Sequence, residues 1–142
     1  MNLYDLHNKP ESLHKRKEAD EQVAEVIWSR FPHNSEKLKQ YEDILAKDAR
    51  IALAYSHWVL GKEWPKGEKA IANSKFAYDY WKFVINRDAG VNGTMSKRFP
   101  AGEKAIARIP SHAIQYTMNT KHAIPEFEAT LIDDPKKIAA VS

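Results

Sequence analysis

Apolar residues recur along this chain at the spacing of a helix, and the same pattern is written three times. From Glu42, Glu68 and Glu103 the sequence runs through an apolar pair, an alanine, and a tyrosine three residues after the alanine. Offsets of three, four, seven and eight residues place side chains on one face of an α-helix, whereas strand alternation needs an offset of two. The pattern therefore predicts an all-α protein. The alanines and tyrosines are Ala52, Ala77, Ala113, Tyr55, Tyr80 and Tyr116.

The repeated pattern divides the chain into helical repeats with a period of about 25 residues. We predict repeats over 42–67, 68–102 and 103–127, a truncated repeat over 128–142, and an N-terminal cap over 1–41 with a longer helix around Glu11 to Arg30. One pair of short helices cannot bury its own apolar stripe, so neighbouring repeats are expected to stack. The predicted architecture is a single-domain array of helix-turn-helix repeats, similar to an α-solenoid, over residues 1–142.

An aromatic-Pro-x-Gly-Glu phrase separates the repeats, at residues 64–68 and again at residues 99–103. Proline cannot continue a helix, so Pro65 and Pro100 are expected to end the longer helix of each repeat. The following glycines, Gly67 and Gly102, are expected to supply the backbone angles of a tight turn. The glutamate then places a negative charge in the first turn of the next helix. Helix N-caps are predicted at Asp48, Ser74 and Ser111.

At these residues the chain resembles a short helical repeat of tailed bacteriophage proteins, with the pattern E-x-x-I-A-x-x-P-x-x-A-x-x-Y-A-x-x-V-I-x-x-R-F-P-x-G-E. The likeness covers residues 42–142, and 19–36 in part; it departs at Thr120, where the pattern has valine, and at Ile124, where it has phenylalanine. The resemblance implies a phage accessory protein that acts in the bacterial cytoplasm. The matching residues are Arg98, Phe99, Pro100, Gly102, Glu103, Ile106, Ala107, Pro110, Ala113 and Tyr116.

The amino-acid composition narrows the classes of function that we expect for this protein. The chain has 142 residues and no cysteine, which excludes disulfides and thiolate metal sites and suits a reducing cytosol. No apolar run approaches the roughly 20 residues of a membrane helix, and the N-terminus has no apolar signal core. We therefore expect a cytoplasmic protein with no membrane partner. A net charge of +3 permits an acidic partner without requiring one.

Motifs for catalysis are missing from the sequence. The six histidines have no recognised metal-ligand spacing, and no glycine-rich phosphate loop or nucleophile elbow occurs. We expect no catalytic residue, no metal and no cofactor; an enzyme would require His57, His112 and His122 to converge in one pocket. Trp58 and Trp81 lie beside core positions, so we expect both, with Trp28, to complete the core.

Basic residues recur at matching offsets from the repeat alanine in the first two repeats. The first two of these offsets differ by seven residues, which predicts a shared helix face. The ten-residue insertion 88–97 is a second candidate, because loops that interrupt a repeat array often carry recognition. The candidate binding residues are Arg50, His57, Lys62, Lys75, Lys82, Arg87, Asn92 and Lys97.

Three functions remain open. The preferred hypothesis is a non-catalytic phage accessory protein that binds and modulates a host macromolecule, a bacterial protein by preference. The alternative is nucleic-acid binding through the basic face, which predicts affinity that falls with salt and with substitution of Arg50, Lys75 and Lys82. A second alternative, a small structural component of the virion, predicts self-assembly.

Overall fold

A computed structural model of the chain describes residues 13–32, 34–89 and 93–131, and every regular element within these residues is helical. The all-α prediction is confirmed. The long N-terminal helix is also confirmed: helix α1 spans Leu13–Arg30. The chain divides into two compact units, unit 1 (Met1–Ala70) and unit 2 (Ile71–Ser142). Across the described residues, no helix combines the length and the apolar character needed to cross a membrane.

Unit 1 packs α1 against the first repeat. After α1 come α2 (Ser35–Lys39), α3 (Glu42–Leu45), α4 (Ala49–Ala54), a π-helical turn π1 (Tyr55–Leu60) and the start of α5 (Pro65–Ala72). Helix α1 contacts both α3 and α4. The buried apolar side chains of unit 1 are Ala24, Ile27, Leu38, Leu45, Ile51, Ala52, Tyr55 and Trp64.

Unit 2 centres on a short helix that three others contact. Its elements after α5 are α6 (Ala77–Tyr80), a π-helical turn π2 (Trp81–Ile85), 3₁₀ turns over Arg87–Ala89 and Pro100–Gly102, α7 (Glu103–Ala107), α8 (Pro110–Thr120) and α9 (Pro125–Leu131). Helix α7 contacts α6, α8 and α9. The largest fully buried side chains of unit 2 are Trp81, Tyr80, Tyr116, Phe127, Ile71, Ile106 and Ile124.

The prolines of the repeated phrase begin helices and do not end them. Pro65 is the first residue of α5, Pro100 opens the 3₁₀ turn before α7, and Pro125 is the first residue of α9. The expected role as a helix terminator was wrong. The preceding π-helical turns end earlier, at Leu60 and Ile85. A proline is favoured at the first helical position because its missing N–H has no intrahelical acceptor there.

The glycine of the phrase is required for space. We expected Gly67 to supply the backbone angles of a tight turn, but the described glycine with positive φ is Gly61. A Cβ at Gly67 would lie 2.5 Å from the ring of Trp64 and 3.0 Å from the Cβ of Ala52. The tryptophan therefore folds back over the glycine and packs against the repeat alanine, a close approach that any larger residue would prevent.

Unit 2 repeats this glycine–aromatic contact with a different ring. Gly102 has φ −98°, an angle open to any residue. A Cβ there would lie 2.5 Å from the ring of Phe99 and 3.1 Å from the Cβ of Ala77. Phe99 is itself buried. The recurring Pro-x-Gly phrase thus encodes a helix start beneath a buried aromatic ring.

The three predicted N-caps have different outcomes. Asp48 is confirmed, because its side chain accepts a hydrogen bond from the Ile51 backbone N–H at 3.0 Å. Ser74 instead accepts from the Phe76 N–H at 3.1 Å, in the turn before α6. Ser111 lies inside α8 and is exposed, since that helix begins one residue earlier at a proline. Of the three predicted caps, Asp48 is thus the one that lies at a helix start and bonds to its first turn.

Candidate binding surface

The glutamate and the tyrosine of the repeat are hydrogen-bonded to each other, which the sequence analysis missed. In unit 1 the Tyr55 hydroxyl donates to Glu42 Oε2 at 2.7 Å, and in unit 2 the Tyr116 hydroxyl donates to Glu103 Oε2. Burial raises the pKa of both tyrosines above the usual range, and the hydrogen bond to the carboxylate adds to the rise. The shared separation of 13 residues was the available signal.

In unit 2 the glutamate lies at the centre of a charged cluster. Glu103 is 9% exposed, and Arg98 donates to both of its carboxylate oxygens, from Nε at 3.1 Å and from Nη2 at 3.2 Å. His122 Nε2 lies 3.7 Å from Oε1, and the Phe99 N–H donates to the Tyr116 hydroxyl at 2.9 Å. Both carboxylate oxygens already have partners, so the cluster holds packed elements together and leaves no carboxylate oxygen free for proton transfer.

The helices that carry the repeat tyrosines differ in length by one residue. From Tyr55 to the left-handed cap residue Gly61 (φ 66°) is six residues, whereas from Tyr116 to the left-handed cap Lys121 (φ 59°) is five. The turn π1 holds the extra residue in the first repeat, while α8 is α-helical throughout. A π-helical turn of this kind is rare and often marks a functional site.

Polar side chains stabilise both π-helical turns. The buried Ser56 hydroxyl donates to the Ala52 carbonyl at 2.7 Å, at the point where α4 passes into π1. At the end of π2 the Trp81 carbonyl accepts from the Asn86 backbone N–H at 3.0 Å and from its side-chain amide at 2.9 Å. Side chains that bond to helix carbonyls in this way disturb the regular i→i−4 ladder.

Each π-helical turn presents a basic residue followed by an exposed aromatic residue, which we call a basic–aromatic pair: His57-Trp58 in unit 1 and Lys82-Phe83 in unit 2. Trp58 is 71% exposed and Phe83 is 46% exposed. Both pairs lie five and six residues after the repeat alanine. The expectation that Trp58 completes the core was wrong.

The reason for the exposure of Trp58 lies in the start of its own π-helical turn. Tyr55 and Ser56, the first two residues of π1, are buried at 1% and 0% exposure and occupy the inward positions. Trp58 follows Ser56 by two residues within the same turn, and residues two apart on a helix do not share a face. Trp81 is fully buried as expected, and Trp28 is half-buried.

In unit 1 the three predicted basic residues have different surroundings. Arg50 forms an ion pair with Glu25 of α1. His57 packs edge-on against Trp58, with ring centroids 4.3 Å apart. Lys62 lies in the exposed turn after π1. The charge of Arg50 is therefore compensated within the unit.

In unit 2 the basic residues lie beside aromatic rings. Lys75 precedes α6 in a turn, so its seven-residue spacing from Lys82 does not put the two on one helix face. Its Nζ lies 5.4 Å from the ring centroid of Phe76. Arg87 begins an exposed 3₁₀ turn.

Lys82 belongs to an aromatic cluster in unit 2. Its Nζ lies 5.9 Å from the ring centroid of Tyr78 and 5.4 Å from that of Phe83. Tyr78 stacks on His112, with centroids 4.1 Å apart and planes 9° from parallel. Burial lowers the pKa of His112, and the nearby charge of Asp79 opposes this shift. His112 is therefore a stacking partner in its neutral form at pH 7.

The end of the insertion is anchored by hydrogen bonds of its backbone. Asn92 lies outside the described residues. Lys97 accepts hydrogen bonds at its carbonyl from Trp81 Nε1 at 2.7 Å and from Asn86 Nδ2 at 3.1 Å, and its N–H donates to Asn86 Oδ1 at 3.0 Å. Its side chain is exposed. The loop is thus anchored to π2 through main-chain atoms, with the Lys97 side chain directed to solvent.

A groove of about 370 Å³ in unit 2 involves basic residues that the sequence analysis passed over. It is lined by Lys104, Ala107, Arg108 and Glu126, from α7, the residue that follows it, and α9. The signal in the sequence was the four-residue spacing of Lys104 and Arg108, which places both on one side of a helical turn.

Metal sites and acid–base sites are the other kinds of site that the histidines and carboxylates could form. Within the described part of the chain, no group of three or more His, Asp or Glu side chains could hold a metal ion. His112 stacks on Tyr78 while His122 approaches Glu103, so the two histidines of unit 2 have separate partners. These contacts provide no shared acid–base site.

No protein family, curated protein or solved structure was found to match the chain. The structure itself shows an all-helical protein, over the residues that it describes, in which two π-helical turns each carry a basic–aromatic pair.

Proposed function

We propose that this chain is a non-catalytic adaptor that binds a protein partner through the exposed aromatic residue of π1. The observation that carries the proposal is the 71% exposure of Trp58. A tryptophan held in water exposes a large apolar surface that association would remove. Tryptophan is also among the residues that most often dominate the energy of protein interfaces.

The surroundings of Trp58 fix its position before binding. Tyr55 and Ser56 are buried in the same turn, and the Tyr55 hydroxyl is bonded to Glu42. His57 packs against the indole ring. A side chain that is already ordered loses less conformational entropy on association, which favours tight binding through a small surface.

The phage resemblance supplies the setting for this proposal. Repeats whose shared residues serve packing leave the variable exposed positions for recognition, as in other helical arrays. We therefore propose a host bacterial protein as the partner and the bacterial cytoplasm as the place of action.

Affinity capture from bacterial lysate with matched variants tests the proposal. We expect the intact chain to retain a defined protein at modest salt, and Trp58→Ala to lose it. Val26→Ala is the control, since Val26 is also exposed, at 56%, but lies on α1. With the partner purified, calorimetry should show binding about 30-fold weaker for Trp58→Ala, as for an interface hot spot. Equal retention by Trp58→Ala, or loss with Val26→Ala alone, contradicts the proposal.

A further inference from the structure

Two cations of unit 2 lie on one side of a short helix and line the same groove. Lys104 lies in α7, and Arg108 directly follows that helix with helical backbone angles (φ −70°, ψ −22°). Their four-residue spacing places both side chains on one side, about 6 Å apart along the helix axis. Ala107 of α7 and Glu126 of α9 complete the lining of the groove, which has a volume of about 370 Å³.

Neither cation is paired with a carboxylate among the described residues. The ion pairs that the structure describes in unit 2 converge on the buried Glu103. Glu126 lines the groove but forms an ion pair with neither Lys104 nor Arg108, and all three side chains are exposed. Like charges at four-residue spacing repel each other, so an anion in the groove would be attracted by both cations.

The formal charge of the chain favours the same kind of ligand. Residues 1–70 contain twelve Lys and Arg against twelve Asp and Glu, whereas residues 71–142 contain ten against seven. The net charge of +3 thus belongs to unit 2, and unit 1 is neutral. A negatively charged partner is therefore attracted to the unit that contains the groove.

Glu126 restricts the class of anion that the groove can bind. Its carboxylate repels an anion, and it accepts hydrogen bonds without donating any. The favoured ligand therefore carries N–H donors beside its negative charges. A peptide has a backbone N–H at every residue except proline, whereas the backbone of a nucleic acid has none. The described residues that line the groove also include no aromatic ring on which an unpaired base could stack.

We propose that this groove binds an extended acidic segment of a protein partner, with two carboxylates two residues apart that pair with Lys104 and Arg108. In an extended chain, side chains two residues apart point to the same side and lie about 6.6 Å apart. This distance matches the separation of about 6 Å between the two cations along the helix axis. Backbone N–H groups of the segment are the donors for Glu126. The site is additional to the contact proposed for Trp58, which belongs to unit 1.

An NMR titration of the isotope-labelled full-length chain with short capped peptides tests this inference. The probe is acetyl-Gly-Glu-Gly-Glu-Gly-amide. Its matched control, acetyl-Gly-Glu-Glu-Gly-Gly-amide, has the same composition and charge but directs its two carboxylates to opposite sides when extended. We expect the probe to shift the backbone amide signals of residues 104–108, with binding that weakens as salt rises. The control should bind about three- to fivefold more weakly, because it loses one exposed ion pair.

Variants of the groove test which side chains make the contacts. Lys104→Ala and Arg108→Ala should each weaken probe binding about three- to fivefold, and the double variant Lys104→Glu/Arg108→Glu should abolish it. Lys97→Ala is the matched control, because it removes the same formal charge from an exposed side chain of unit 2 that does not line the groove. Trp58→Ala should leave probe binding unchanged, so this proposal and the proposed function can fail separately.

Two other ligands with the same charge as the probe test the class of ligand. Glutarate has no N–H, and a thymidine trinucleotide has none in its backbone, so each should bind at least about threefold more weakly than the probe. Glu126→Gln removes the charge that repels glutarate and keeps an acceptor for a peptide N–H. This variant should therefore reduce the preference of the groove for the probe over glutarate.

Several results would overturn the proposal. Binding of the adjacent-glutamate control or of glutarate as tightly as the probe would remove the extended peptide as the ligand. Equal or tighter binding of the trinucleotide would assign the groove to nucleic acid. Equal weakening by Lys97→Ala and Lys104→Ala, or no shift at residues 104–108 with the probe at millimolar concentration, would exclude the groove as the site. The comparisons between ligands use the unaltered chain, so they decide the question even if a variant loses its fold.

Discussion

Units 1 and 2 share two buried contacts and use their charges differently. In both, the glycine–aromatic contact covers the start of a helix, and the repeat tyrosine donates to a glutamate 13 residues earlier. Unit 1 then pairs its cations with acids across its surface, from α1 to the repeat. Unit 2 concentrates its described ion pairs on the buried Glu103, and its Lys75 and Lys82 lie beside aromatic rings.

The difference shows which contacts are retained in both units and which contacts differ between them. Contacts between a ring and a glycine tolerate no change of volume, because protein interiors are close-packed. Exposed ion pairs contribute little to stability, about 0–1 kcal/mol each, so a unit can lose them without losing its fold. Charge can therefore be reassigned from internal pairing to recognition while the buried contacts persist.

The largest expected effect tests whether the hydrogen-bonded glutamate contributes more to stability in unit 2, as Glu103, than in unit 1, as Glu42. Glu103→Gln should destabilise by about 3 kcal/mol, because Arg98 loses its bidentate partner and the Tyr116 hydrogen bond loses its charge. Glu42→Gln should cost about 1 kcal/mol, since Lys66 keeps its closer partner Asp43 at 2.9 Å. Urea denaturation measures both values. Equal losses would show that the two units use the glutamate in the same way.

The glycine–aromatic contact should be equally sensitive in both units. Gly67→Ala and Gly102→Ala should each cost about 2 kcal/mol, because the new Cβ meets a ring that is already packed. Phe99→Leu should relieve part of the cost of Gly102→Ala, and a double-mutant cycle by urea denaturation measures this coupling. A loss below about 0.5 kcal/mol at either glycine would contradict the contact.

The left-handed cap residues allow changes of opposite sign. Gly61→Ala should destabilise by about 1 kcal/mol, because φ 66° is unfavourable for a residue with a Cβ. Lys121→Gly should stabilise by about 0.5–1 kcal/mol, because φ 59° strains the lysine already present. Thermal unfolding measures both, and Lys121→Ala removes the charge without relieving the strain. Stabilisation by Lys121→Ala equal to that by Lys121→Gly would contradict the prediction.

The smallest expected effect is the response of unit 2 to acid at His112. Its pKa is lowered in the folded state from the ordinary 6.5, so the unfolded chain binds a proton first as pH falls. The stability that comes from the neutral ring is therefore full above pH 6.5 and is lost as the pH falls below it. His112→Phe, which can keep the stack on Tyr78, should flatten this dependence in urea titrations. An identical pH profile for the variant and the parent would exclude the effect.

The helical pattern could be predicted from the sequence because burial imposes a period on each helix. The repeat alanines Ala52, Ala77 and Ala113 are all buried, and the helix around Glu11 to Arg30 lies within two residues of its observed start. Asp48 could be predicted as an N-cap because an aspartate that precedes a helix accepts a hydrogen bond from a backbone N–H in the first turn of that helix.

The candidate surface could not be predicted in the same way. The exposed Trp58 lies in π1, and the extra residue of this turn is visible only when the distance from the tyrosine to the cap is compared between Tyr55 and Tyr116. That comparison requires the position of the cap residue. A glycine such as Gly61 indicates a left-handed cap in a sequence, whereas a lysine such as Lys121 does not. The partner of Arg50 lies 25 residues away on α1, beyond the reach of a local pattern.

The extra residue of π1 also bears on how such a chain can vary. A single inserted codon in the middle of a helix would lengthen one turn, redirect the side chains that follow, and leave the hydrogen-bonded tyrosine before it in place. The third repeat, which has no such residue, carries Met118 and Asn119 at the corresponding offsets and no aromatic ring there. Recognition could thus be gained or lost one repeat at a time through changes in length alone, with the packing scaffold inherited intact.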